Sequence, residues 1–323
     1  MVDMAVGSTA TSAPGRRLPR VFWALWVCQL VNRLGGFVEP FLVLYLTQGQ
    51  HLAAATAGLV VACNGAGSVV SQLLGGWLTD HVGRRRTMLI GFAGTGLGLV
   101  VLGQSRGLVA IAVCAFAVGV AADLFRPAVS ATVADLLAPG NRVRAYGLLF
   151  WAVNIGFSVS AVSAGVVASL GFGLLFWINA GTCLVAAAVI FAAVPETRPE
   201  RTGHAPRRLL AVAGRDLPLL GLVAISTVNA TVYFQAYSTL PLAMTRDGLA
   251  VSTYGLVIAL NGAVIVALQP VLIKLLVRFD RGVVVALAML LVGLGFGLGA
   301  VAGNVFGYAA SVVVWTLGEI GVS

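Results

Sequence analysis

Charge is scarce in this chain. Only 10% of its 323 residues are charged and 59% are hydrophobic, whereas soluble domains carry roughly a quarter charged residues. Too few polar groups remain to cover a water-facing surface, which excludes a soluble globular domain. Histidine is rarer still: His51, His81 and His204 all fall between apolar stretches, so none within those stretches is available as a metal ligand or proton relay. Cys28, Cys63, Cys114 and Cys183 sit inside apolar stretches without CxxC spacing, which reads as small buried hydrophobes and not as a metal or redox site. A histidine cluster, a serine-nucleophile motif and a phosphate-cradling glycine loop are all missing, which argues against a membrane enzyme.

Long apolar runs fill the chain instead. A membrane-spanning helix needs about 20 predominantly apolar residues. Such runs recur at 21–47, 53–79, 87–104, 108–137, 145–169, 172–194, 217–245, 252–277, 283–302 and 305–323. The expected fold class is all-α, a polytopic membrane bundle of ten crossings in contact with the lipid bilayer. Forty glycines, most of them inside these runs, suit close helix packing better than loops.

The net charge of +9 would suggest a nucleic-acid partner in a soluble protein, so its placement decides the matter. With the N-terminus in the cytoplasm, sixteen of the twenty basic residues fall on inner segments. Arg106 and Arg246 fall outside, and Arg33 and Arg126 lie within spans. That is positive-inside asymmetry. It orients the chain in a plasma membrane and removes the reason to invoke nucleic acid.

Residues 1–19 read as a disordered cytoplasmic tail. The long break in hydrophobicity, 195–216, is rich in proline and arginine and reads as a cytoplasmic linker. It separates a six-crossing bundle, 20–194, from a second bundle, 217–323, with four. Transporters built from two six-helix halves place the substrate between them. On that plan the chain holds ten of an expected twelve helices, and truncation at the C-terminal end is the expectation.

After the second span the chain reads Gly76-Trp77-Leu78-Thr79-Asp80-His81-Val82-Gly83-Arg84-Arg85-Arg86. Gly83 permits a tight turn, Asp80 can sit at a helix end, and the arginines hold the loop at the cytoplasmic face. A simple topogenic turn would need the arginines but not Gly76, Asp80 and Gly83 at this spacing. The stretch resembles the loop signature G-x-L-x-D-x-x-G-R-R of the major facilitator superfamily. Phe125-Arg126-Pro127-Ala128, Asn154-Ile155-Gly156-Phe157 and Trp315-Thr316-Leu317-Gly318-Glu319 add resemblance to a bacterial branch of drug and small-solute exporters. The resemblance implies a cytoplasmic latch built on Gly76, Asp80, Gly83, Arg84 and Arg85, with Asp135 as a candidate partner. Two departures count against proton-driven antiport. Ala115 stands where an arginine often precedes a fourth-helix glycine, here Gly119, and Ser160-Ala161 replaces a Gly-Pro motif in the fifth span.

Ionisable residues within spans cost about 2.5–3.5 kcal/mol each on insertion scales, so Arg33, Glu39, Asp123, Arg126 and Glu319 each need a reason. Asp123 and Arg126, three apart on one helix, are placed to pair, and Pro127 beside them favours a kink. Arg33 and Glu39 are six apart, about 240° around a helix, which predicts different neighbours. Glu39 reads equally as a proton-coupling carboxylate or as partner of an arginine, and Glu319 as a gate or structural residue. Asn154 is a candidate substrate contact. Tyr233 and Tyr237, with Trp151, would suit an aromatic wall.

The reading is a secondary transporter of a small molecule, working by alternating access as a monomer. It needs no cofactor or metal, and the proton gradient is its energy source. Multidrug-like efflux is the main expectation. The alternatives are uptake or facilitated movement of a sugar, amino acid or peptide, which the missing Gly-Pro motif favours, and a shortened chain that transports nothing.

Overall fold

A computed structural model describes residues 18–197 and 216–322. Most of the tail read at 1–19 and of the linker read at 195–216 lies outside the described residues. The first crossing comprises α1 (Arg20–Leu34), α2 (Val38–Leu44) and a π turn (Tyr45–Gly49). The second and third are α3 (Ala54–His81) and α4 (Arg84–Gln104), and the fourth is α5 (Leu108–Ala122) with α6 (Phe125–Leu136). The fifth and sixth are α7 (Pro139–Leu170) and α8 (Phe172–Ala193). The seventh is α9 (Leu217–Tyr233), a 3₁₀ turn (Phe234–Ala236) and α10 (Thr239–Arg246). The last three are α11 (Val251–Leu276), α12 (Arg281–Val301) and α13 (Val305–Val322). Among the described residues nine helical runs are long and apolar enough to cross a bilayer; the seventh crossing is divided by its turn. The all-α polytopic fold is therefore as expected.

Three crossings are broken, each for a local reason. The first stops at Gly35–Gly36, where Gly35 lies so close to Thr182 of α8 that a Cβ would overlap it. The Val38 N–H freed by the break is taken up by Asn179 Oδ1 at 3.3 Å. In the fourth, Pro127 has no N–H to offer the Asp123 carbonyl, which accepts from the Arg126 N–H at 3.1 Å instead. The kink expected at Pro127 thus appears as a break between Ala122 and Phe125. In the seventh, Pro241 does the same to Tyr237, directly after the 3₁₀ turn.

Two buried cores result. One, near the basic ends of the helices, contains Phe22, Met88, Phe92, Phe125 and Ile190, and all its buried members come from the first six crossings. The other runs along the opposite face and combines both halves: Phe41, Leu46 and Phe176 with Met244, Tyr254 and Trp315. On that face Phe41 meets Tyr254 edge-on at 5.3 Å, and Gln48 reaches Thr245. The seam between α7 and α11 is lined by small residues. Gly255 lies against the Ala161 carbonyl and Gly165, and Gly262 against Ser158 and the Asn154 carbonyl. Such residues let backbones approach where lipid removes the usual hydrophobic drive. These contacts run from mid-helix to the face opposite the basic one, so the halves are closed together there.

Candidate functional site

The first six crossings enclose a cavity of about 100 Å³ lined by Asn32, Arg33, Glu39, Asn64, Ser68, Asp123, Arg126 and Asn179. Four of the five charges read within spans meet here. Arg33 pairs with Glu39 at 3.4 Å, with the Glu39 side chain 51% exposed. The rotation expected of a continuous helix does not apply, because Gly35–Gly36 interrupts it and lets the chain turn Glu39 back towards Arg33. Asp123 pairs with Arg126 at 2.5 Å, and the Ser68 hydroxyl also donates to the Asp123 carboxylate. The Arg33 Nε–H is buried and has no acceptor among the described residues.

Asn154 is set apart from this cluster. Its amide donates to the Phe150 carbonyl of its own helix at 2.9 Å, and its carbonyl packs against Gly262 in the seam.

Glu319 belongs to a second cluster, in the later crossings. Asn261 donates to its carboxylate at 2.7 Å and to Thr316 Oγ1 at 3.1 Å. The Tyr233 ring stands edge-on to Trp315 at 5.7 Å, and Phe296 stacks on the same indole at 5.2 Å. Tyr233 and Tyr237 hydroxyls are 3.4 Å apart, and Tyr237 meets Phe157 of α7 edge-on at 6.2 Å. Trp151 is exposed, and Phe157 and Trp315 form the aromatic wall in its place.

At the basic face Arg84, only 5% exposed, bonds Asp135 at 3.1 Å and the Thr79 carbonyl at 3.1 Å. Asp80 is exposed and makes no ion pair among the described residues. Gly76 faces open space. Gly83 has φ +115°, open to glycine but strained for other residues. Arg85 donates to the Phe191 carbonyl at 2.5 Å and lies over the Phe191 ring at 4.7 Å.

Four contributors escape a reading of the sequence. Ser68 and Asn179 are uncharged polar residues in apolar helices, and only contact shows what they serve. Arg142 donates to the carbonyls of Leu137 and Ala134, capping the end of α6. Glu196, which falls in the segment read as linker, accepts from the Arg85 and Arg86 N–H groups at 3.3 Å each.

Two helical halves joined on one face, with charges held inside the membrane, define a transporter. The Major Facilitator Superfamily model matches residues 25–323, and the chain belongs to that superfamily, a transport family and not a catalytic one. It is a secondary transporter of a small solute and a multi-pass membrane protein. The uncharacterized MFS-type transporter YqjV of Bacillus subtilis is 27% identical over 315 residues, covering 93% of this chain and 75% of the relative. Multidrug resistance protein 2 of the same organism is 26% identical over 138 residues, 43% of this chain and 34% of that protein. Among solved structures, a bacterial homologue of the human drug peptide transporters PepT1 and PepT2 superposes with a TM-score of 0.73 at 20% identity, covering 94% of this chain and 81% of that one.

Proposed function

We propose that this protein imports a small zwitterionic solute, an amino acid or short peptide, together with protons. The observation that carries the reading is the placement of opposite charges within the two halves. Arg33 of the first crossing keeps a buried N–H without an acceptor among the described residues, while the tenth crossing carries the Glu319 carboxylate, held by the Asn261 amide. A solute carboxylate suits the first and an ammonium the second. A neutral sugar offers neither a carboxylate to the free Arg33 N–H nor a cation to Glu319. The fold shared with a peptide-transporter homologue supports the same class.

In this reading the N-terminus and the basic loops lie in the cytoplasm of a plasma-membrane protein. The joined face is then the outer one, and the conformation is open inward. Arg33, Glu39, Asp123 and Arg126 serve solute and proton binding, and Asn154 the seam. Gly76, Asp80, Gly83, Arg84, Arg85 and Asp135 form the latch that closes the cytoplasmic face. The transporter acts as a monomer.

The test is uptake of labelled amino acids, dipeptides and tripeptides into cells expressing the chain, with and without an uncoupler. Accumulation that the uncoupler abolishes is expected for at least one of them; none across the panel, with the protein present in the membrane, sinks the reading. A second reading, export of an apolar cation, is favoured by the wall of Tyr233, Tyr237, Phe157 and Trp315 and by the partial likeness to a multidrug resistance protein. Dye retention on adding the uncoupler would select it.

A further inference from the structure

We infer that the carboxylate of the solute docks end-on against Arg126, whose two terminal nitrogens form a free fork in the first-half cavity, and that Ser68 and Asp123 aim this fork. The inference rests on the import reading and deepens it by naming the residue that reads the acid group. The two arginines that line the cavity are engaged in opposite ways. Arg33 commits a terminal nitrogen, Nη1, to Glu39 Oε2 at 3.4 Å, which breaks up its terminal pair. Arg126 is held at the inner nitrogen instead: its Nε meets Asp123 Oδ1 at 2.5 Å. Its Nη1 and Nη2 have no hydrogen-bond or ion-pair partner among the described residues, and the side chain is half-exposed. Two parallel N–H groups on one guanidinium match the two oxygens of a carboxylate, a pairing that a lysine at the same place could not make.

The direction of the fork is set from behind. Asp123 stands in the break between α5 and α6, and Arg126 lies in the first turn of α6, three residues on. Asp123 spends one oxygen on Arg126 Nε, and its other oxygen, Oδ2, accepts from the Ser68 hydroxyl of α3. With both oxygens taken, the Asp123 carboxylate can reach the terminal nitrogens of Arg126 only by giving up Ser68. Glu39, the other carboxylate of the cavity, is paired to Arg33. The fork is thus left to an acid group brought from outside. A carboxylate has about four lone-pair sites, so one that fills the fork keeps sites for the Arg33 N–H on the wall of the same cavity.

The experiment labels the full wild-type chain in lipid nanodiscs with 2,3-butanedione, a small dicarbonyl that bridges two free nitrogens of one guanidinium, and reads each arginine by peptide mass. Arg126 is expected to react faster than Arg84, whose Nε and Nη1 are held by Asp135 and the Thr79 carbonyl. Alanine, dialanine and trialanine are the protecting probes, each beside its methyl ester. At least one acid is expected to protect Arg126, its ester needing roughly ten- to a hundredfold more for the same effect. Ser68→Ala is expected to raise the half-protecting concentration of that acid about two- to tenfold while leaving the labelling rate without solute unchanged; a partly unfolded bundle would raise that rate. Arg126 reacting as slowly as Arg84, protection by no acid, or equal protection by acid and ester overturns the fork, and these readings need no variant to fold. An unchanged half-protecting concentration in Ser68→Ala overturns the aiming by Ser68. Uptake is a separate readout: protection without uncoupler-sensitive uptake removes the import reading and keeps the fork, whereas uptake without protection removes only the fork.

Discussion

The Glu196 carboxylate crowds the space that a side chain at Gly83 would need, its oxygens 2.6 and 2.7 Å from where a Cβ would sit. From there it accepts two of the free N–H groups in the first turn of α4, those of Arg85 and Arg86, at 3.3 Å. No side chain at the N-cap itself does so, so the end of the sixth crossing caps the start of the third. Gly83→Ala is expected to strain the positive φ and expel the carboxylate together, lowering stability by about 1–3 kcal/mol. Glu196→Gln should cost about 1 kcal/mol. Thermal unfolding of the purified protein measures both, and the double variant should cost less than the sum, since Gly83→Ala already removes what Glu196 provides.

Arg84 and Asp80, four residues apart, are predicted to behave differently. Arg84→Ala leaves Asp135 and the Thr79 carbonyl without their donor at a nearly dry site, a loss of about 1–3 kcal/mol after allowing for the exposed side of Asp135. Asp80→Asn changes an exposed, unpaired side chain and should stay within about 0.5 kcal/mol of wild type, while slowing transport if closure of the basic face recruits it. Unfolding midpoints and initial rates on the same preparations decide. A stability loss at Asp80 equal to that at Arg84 would refute the distinction.

Arg33→Gln removes the unpaired N–H offered to a solute carboxylate. Affinity for an amino acid or peptide should fall by roughly ten- to a hundredfold, with little further change for the same solute carrying a methyl ester. Competition uptake with the acid and ester forms reads this directly. Equal loss for both forms would place Arg33 outside the carboxylate contact.

Gly255→Val should wedge the seam, because its new side chain meets the Ala161 carbonyl and the Gly165 backbone. The expected outcome is separation of the halves on the joined face. Spin labels introduced at Gly173 and Ala250 should move apart relative to wild type, and an unchanged distance would mean the seam does not control closure.

Much of the fold was legible because a bilayer enforces simple rules on a chain: length, apolarity and the side on which arginines remain. The loop of Gly83 was legible for the same local reason, a tight turn with fixed spacing. Contacts that depend on broken helices were harder to read. Arg33 and Glu39 point apart on an ideal helix and meet only because Gly35 is pressed against Thr182 on another crossing. The seventh break was hidden because Pro241 lies within an apolar run that reads as continuous. Pro127 did announce its break, although the disturbed residue is Asp123, one turn earlier, whose carbonyl is what the proline cannot serve. Glu196 and Asn179 cap helix ends belonging to other crossings, and nothing in their own neighbourhoods says so.

Both cores are apolar, but the two faces of the molecule are cross-linked differently. One face is held by aromatic and small apolar side chains shared between the halves; at the other the named cross-links are arginine, carboxylate and main-chain carbonyl groups. Dissolved salt weakens exposed charge contacts and leaves apolar packing nearly untouched. The two faces therefore answer to different surroundings: dissolved salt reaches the exposed Arg85 contact at one, and the fit of ring against glycine governs the other.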